Sequence, residues 1–129
     1  MNLEVFLDLS TLNMKIYEFT RILGILLDNA IEAAEQCREK EIHVILRKDP
    51  KVNRQLLIVE NTYTNKDVDT EKIFEKGYTS KETEDKKKHG LGLWEVRKIL
   101  RKNDNLNLFT HKDSEFFKQQ LEIYPNIAS

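Results

Sequence analysis

Asn29 lies inside an apolar run, Leu26-Leu27-Asp28-Asn29-Ala30-Ile31. Asparagine is a poor helix-interior residue, because its amide competes for backbone hydrogen bonds. Its amide is therefore either bonded to a neighbour at the rim of the apolar face or used as an oxygen ligand for a hard cation such as Mg²⁺. His89-Gly90-Leu91-Gly92-Leu93 follows a basic stretch, Lys86-Lys87-Lys88, and precedes renewed helical spacing. Glycine lets the backbone approach a phosphate closely, and a helix start offers free N–H groups and a positive dipole end. A flexible helix start is the plain alternative. A dinucleotide-binding βαβ unit is rejected: it needs a third glycine and a preceding strand, whereas Leu93-Trp94-Glu95 follows Gly92 and a polar loop comes before. Val59-Glu60-Asn61-Thr62 ends an apolar run, where polar side chains either line a crevice or simply stop a strand. In Ile73-Phe74-Glu75-Lys76-Gly77-Tyr78-Thr79-Ser80-Lys81, the two aromatics can anchor a loop to the core. Lys81 is either a solvated lysine or a phosphate contact.

These residues need a scaffold, and the periodicities supply one. Residues 14–37 carry apolar side chains at Phe19, Ile22, Leu23, Leu26, Leu27, Ala30, Ile31 and Ala34, the spacing of one helical face. Residues 90–102 repeat that spacing through Leu91, Trp94, Val96, Ile99 and Leu100. Strands are expected at 3–9, 42–46, 55–61, 106–110 and 117–124, with the second and third joined as a hairpin across Asp49-Pro50. The third is apolar on both faces, which suits a central strand. One helical turn is expected at 71–74 and a long polar loop at 77–89, of a length that is usually functional or disordered. The order β-α-β-β-(short α)-loop-α-β-β implies an α/β (α+β) two-layer sandwich, a mixed and mostly antiparallel sheet with helices on one face.

Composition narrows the classes. The chain of 129 residues fits one domain, 1–129. No run approaches the roughly 20 apolar residues of a membrane span, and no charged-then-apolar signal pattern opens the chain. Lys+Arg 21 against Asp+Glu 22 leaves a net charge of −1, so nothing global favours nucleic acid. The basic stretches read as solvated surface, and no nucleic-acid partner is expected. Cys37 has no partner cysteine and fits a reducing compartment.

The motifs together, in this order, resemble the ATP-binding domain of the gyrase, Hsp90, histidine kinase and MutL (GHKL) superfamily, over roughly residues 3–124. The finer likeness is to the catalytic domains of Gram-positive peptide-pheromone receptor kinases, the quorum-sensing sensors of the accessory-gene-regulator, competence and bacteriocin type. Leu23–Ala34 and Gly77–Lys81 carry that likeness most clearly. The resemblance implies a Bergerat-type fold and a Mg-ATP site. Asn29 matches the asparagine that holds Mg²⁺ against the phosphates, and is the implied catalytic and metal residue. Asn61 matches the position usually held by the aspartate that accepts a hydrogen bond from the adenine amino group. Its oxygen still accepts, without charge, so weaker nucleotide binding is expected. The glycine usual two positions on is replaced by Tyr63. Phe74 matches the phenylalanine box, and Gly90, Leu91, Gly92 and Leu93 match the glycine box whose amides cradle phosphate. Ala33, Thr62, Tyr78, Thr79, Ser80, Lys81, Lys88 and His89 complete the implied nucleotide contacts. Lys88 replaces an earlier glycine of that box, so Lys88 or Lys81 is expected to add a charged phosphate contact.

The resemblance also implies a limit. ATP-hydrolysing and serine-phosphorylating relatives carry a glutamate general base one turn before the asparagine; here Ile25 stands there and cannot activate water or a hydroxyl. An anti-sigma-type serine kinase is argued against on this ground. The implied reaction is γ-phosphoryl transfer to a histidine, driven by positioning and charge neutralisation. His43, His89 and His111 do not resemble the family's acceptor. The chain is accordingly expected to be a cytoplasmic piece, monomeric by itself, of a membrane-anchored homodimeric receptor kinase. Its partners would be its own dimerisation and histidine phosphotransfer domain and a response regulator. The competing expectation is a nucleotide-weak GHKL-fold interaction module.

Overall fold

A computed structural model of the chain describes residues 1–64 and 85–125, with residues 85–91 described by their backbone alone. The first strand, β1 (Asn2–Val5), is shorter than the expected run to Leu9. Asp8 ends it: its carboxylate accepts from the Ser10 amide at 2.9 Å and caps a 3₁₀ turn at Leu9–Thr11. The apolar stripe of the first helix forms α1 (Ile16–Glu35), a turn shorter in all than the periodic segment, with Met14 and Cys37 just outside.

The expected hairpin forms from β2 (Ile42–Lys48) and β3 (Gln55–Thr62), in antiparallel register with Val44 opposite Val59 and Leu46 opposite Leu57. Asp49 organises its turn by accepting from the Lys51 amide and from Arg54 Nε. The closing hairpin joins β4 (Leu106–Lys112) to β5 (Phe116–Ile123). There the Asp113 carboxylate accepts from the Glu115 and Phe116 amides, both at 2.8 Å.

The second helix departs most from expectation. The helix α2 runs Asp85–Lys102, so residues 85–89 are helical rather than the end of a loop. Nothing from Asp85 to His89 breaks a helix, and Lys86–Lys88 are good helix formers, which outweighs their charge against the positive end of the dipole. The expected turn at 71–74 and the rest of the polar segment lie outside the described residues.

The five strands make one sheet in the order β1-β2-β3-β5-β4, with β1 parallel to β2 and the other pairings antiparallel. Both helices lie on one face. Ile22 and Leu26 of α1, Val96 of α2, and Leu57, Val59, Leu121 and Ile123 of the sheet are almost wholly buried. Burying each such side chain contributes roughly 1.5–3 kcal/mol. β3 is central, as its two apolar faces require. Among the described residues no helix is long and apolar enough to cross a membrane.

The two helices run antiparallel. Ile25 meets Gly92, Arg21 pairs with Glu95, and Asn103 Nδ2 reaches Glu18 Oε1 at 3.3 Å. At one end of the sandwich, Gln55 and Asn105 tie the chain before α1 to the sheet through Thr11 and Asn13. At the other end meet the C-terminal half of α1, the N-terminal half of α2, and the Asn61, Phe117 and Lys112 ends of three strands.

Candidate functional site

That second end gathers the candidate site residues Asn29 and Asn61. Three buried side-chain atoms among the described residues have no hydrogen-bond partner: Asn29 Nδ2, Thr110 Oγ1 and Gln119 Nε2. The first stands on the C-terminal half of α1; the other two face each other across β4 and β5. An unpaired buried polar group costs about 1–3 kcal/mol, so a stable domain tolerates three only where something else satisfies them. The plain role for Asn29, an amide bonded to a neighbour, is not what the structure holds at Nδ2.

Asn61 is 3% exposed, on the inner face of β3. Its Nδ2 donates to the Thr62 carbonyl at 2.9 Å. That bond fixes the amide so that Oδ1 is its free-facing acceptor. Thr62 is tied to the chain before β2: its amide donates to the Glu41 carbonyl at 3.0 Å, and its Oγ1 accepts from the Glu41 amide at 3.2 Å. Only its hydroxyl hydrogen is left to give. Tyr63, the next residue, is buried. Its ring packs edge-on against Phe117 at 6.0 Å, and its hydroxyl donates to the Asp113 carbonyl. Burial, then the Asp113 charge, pushes the Tyr63 hydroxyl above its usual pKa.

The glycine box is placed differently from its expected position. Gly90 and Gly92 do not open α2; they are its sixth and eighth residues. Their amides, with that of Leu91, lie in the intrahelical ladder, and the free N–H groups belong to the first turn, at 85–88. The phosphate cradle at Gly90–Leu93 is therefore not formed in this conformation. The physical reason is local: Asp85–His89 prefers helix, and the ladder takes up the amides. Leu93 is 3% exposed and belongs to the core, so its side chain faces the apolar layer. Gly92 has a steric role, since a Cβ there would lie 3.2 Å from Ile25 Cγ2. A methyl group of Ile25 is thus set against Gly92. Ala33 is half-buried on α1, one turn beyond Asn29. Lys88 and His89 stand on the first turns of α2, so His89 is on a helix rather than in the loop. Phe74, Tyr78, Thr79, Ser80 and Lys81 lie outside the described residues.

On the outer side of α1 an open groove of about 340 Å³ is lined by Tyr17, Thr20, Arg21, Gly24, Ile25 and Asp28. Arg21 is held there by Glu95, with Nε to Oε2 at 2.7 Å. Sequence reasoning passed over this groove and over Gln119. The signal for the latter was present: in Phe117, Gln119, Leu121, Ile123 one inward-facing position is an amide.

The fold and this polar end define a class: a two-layer α/β domain whose polar end lies between two antiparallel helices and the ends of three strands. The sequence model of the GHKL domain family matches residues 14–124, and the chain belongs to that family. Its fold is that of histidine kinase catalytic domains. The catalytic domain of the histidine kinase ThkA superposes with a TM-score of 0.71 at 22% identity, over 95% of this chain and 76% of that one. The Acinetobacter baumannii histidine kinase AdeS gives 0.72 at 14% identity, over 97% of this chain and 53% of that one. A mycobacterial sensor histidine kinase, MprB, gives 0.61 at 16% identity, over 97% and 83%. No curated protein matches the chain.

Proposed function

We propose that this domain binds Mg-ATP and donates the γ-phosphoryl group to a histidine on a separate dimerisation domain of a sensor kinase, which passes it to a response regulator. The observation that carries the reading is the unpaired Asn29 Nδ2 at the ligand end of a GHKL domain. The residues present suit the nucleotide. Asn29 offers a donor to a phosphate oxygen through Nδ2 and an oxygen ligand to Mg²⁺ through Oδ1. Among the described residues no three acidic, histidine or cysteine side chains gather to hold a metal. A cation held by one amide oxygen, phosphate oxygens and water needs no such cluster. Bound Mg²⁺ would supply charge neutralisation on the phosphates. Asn61 offers Oδ1 to an adenine amino group.

Ile25 gives the reaction its direction. A buried aliphatic side chain excludes water and takes no proton, so hydrolysis is slow and an imidazole, which needs no deprotonation by a carboxylate, is the suitable acceptor. The groove beside Ile25 is where an acceptor helix would approach, with Gly24 leaving its floor open. The finer assignment, a peptide-pheromone receptor kinase with the cytoplasmic placement of such a catalytic domain, rests on Leu23–Ala34 and Gly77–Lys81.

The test is a thermal shift with Mg-ADP, followed by transfer from labelled ATP to a separately supplied dimerisation domain. Stabilisation at millimolar Mg-ADP in the parent chain, absent in Asn29→Ala, is expected. Unchanged melting of the parent at millimolar nucleotide would favour the interaction-module reading instead.

A further inference from the structure

Gln119 and Thr110 face each other in register on the inner side of the sheet, and their Nε2 and Oγ1 atoms are both buried and both unpaired. Gln119 is 3% exposed. Directly opposed side chains have Cβ atoms about 5 Å apart, close enough for these two to bond each other. They do not, so both are left for a third group. Asn61 lies on the same face: it stands opposite Phe117, and Gln119 is its diagonal neighbour two residues along β5. Such diagonal pairs stand about 7–8 Å apart, somewhat less at Cβ, a gap that one planar heteroaromatic edge bonded at both ends can bridge.

We propose that Gln119 reads the purine edge, donating from Nε2 to ring nitrogen N1 while Asn61 Oδ1 accepts from the 6-amino group; Thr110 Oγ1 steadies the Gln119 amide once the base is seated. This rests on the nucleotide-binding reading above. The two side chains present an acceptor followed by a donor, and adenine presents the complementary donor followed by acceptor. Guanine presents the reverse, a carbonyl oxygen and an N–H. Asn61 cannot turn to suit it, because its Nδ2 is held by the Thr62 carbonyl. The base is selected by orientation of two neutral amides.

Calorimetry with ADP and with 1-deaza-ADP, in which N1 is a C–H, tests the proposal on the parent chain and on Gln119→Leu. Denaturation without nucleotide provides a second readout. The parent should bind ADP about fivefold more tightly than 1-deaza-ADP, the usual size of one neutral hydrogen bond. Gln119→Leu should bind both equally, at the weaker level. Without nucleotide, Gln119→Leu should melt at or above the parent temperature, because an unpaired buried amide has been replaced by an apolar group of similar size. Equal binding of the two nucleotides by the parent, or the same discrimination in Gln119→Leu, overturns the inference and leaves ATP binding standing. No ADP binding by the parent overturns both. A Gln119→Leu chain that melts well below the parent shows that Gln119 is structural and overturns the inference; Gln119→Met, which keeps length without the donor, guards against a shape effect and should behave as Leu does.

Discussion

Gly24 and Gly92 make a controlled pair. Both lie inside helices, where replacing glycine by alanine gains about 0.5–1 kcal/mol from backbone entropy alone. A Cβ at Gly24 meets nothing within 4 Å, so Gly24→Ala should realise that gain, a rise of roughly 3 °C in melting temperature for a domain of this size. A Cβ at Gly92 lies 3.2 Å from Ile25 Cγ2 and 3.8 Å from its Cγ1. Ile25 cannot swing away, because an isoleucine in a helix is held in essentially one χ1 rotamer. The helices must separate instead, and such overpacking costs about 1–3 kcal/mol. Gly92→Ala should therefore be neutral to about 2 kcal/mol destabilising, and about 1–3 kcal/mol worse than Gly24→Ala. Urea denaturation of the nucleotide-free chain measures both. The contact is isolated by a double-mutant cycle with Ile25→Ala. If the clash is real, Gly92→Ala in that background should recover its helix gain, with a favourable coupling of at least about 1 kcal/mol. A Gly92→Ala chain stabilised as much as Gly24→Ala, or a coupling within the roughly 0.5 kcal/mol of ordinary additivity, would refute the packing argument.

Three further outcomes are expected. Arg54 donates to Asp49 and to Glu122, and Glu122 is 5% exposed, so Arg54→Met should lower the melting temperature and Arg54→Met/Glu122→Gln should restore most of the loss. Asp113 and Asp49 are held below the usual carboxylate pKa of 3.8, first of all by backbone N–H donors, at Phe116 and Lys51 respectively. A lowered folded pKa contributes stability above the unfolded value that is lost as pH falls through the folded one, so below about pH 3.8 the gap between the parent and Asp113→Ala should close in acid titrations followed by circular dichroism. Asn61→Asp removes the donor to the Thr62 carbonyl and buries a carboxylate whose pKa burial must raise. Its melting temperature should fall below the parent's near neutrality and recover on acidification, as the protonated acid regains a donor; a deficit independent of pH from 8 to 5 would contradict this.

Much of the fold is legible in the residues. The apolar stripe Phe19–Ala34 writes α1, and the alternation of Val44, Leu46, Leu57, Val59, Leu121 and Ile123 writes an inner sheet face, because both periods are local geometry. Ends are less legible. Asp8 stops β1 early by accepting from the Ser10 amide, and the start of α2 at Asp85 follows from a charged stretch that reads equally well as loop. The site is legible as a set of motifs: Asn29 draws notice as a polar residue at an apolar position, and Asn61 as the end of a buried strand.

By itself, then, the sequence determined the two-layer architecture and the residue types of the candidate site: two asparagines, two glycines and an isoleucine. These follow from composition and spacing, which act over a few residues. Tertiary structure decided which atoms are available. It set Ile25 against Gly92, and left Asn29 Nδ2, Thr110 Oγ1 and Gln119 Nε2 with unmet hydrogen bonds. Hydrogen-bond satisfaction depends on residues distant in the chain meeting at fixed separations. Thr110 and Gln119 become neighbours only through the β4–β5 register, and they reach Asn61 only because β5 inserts beside β3.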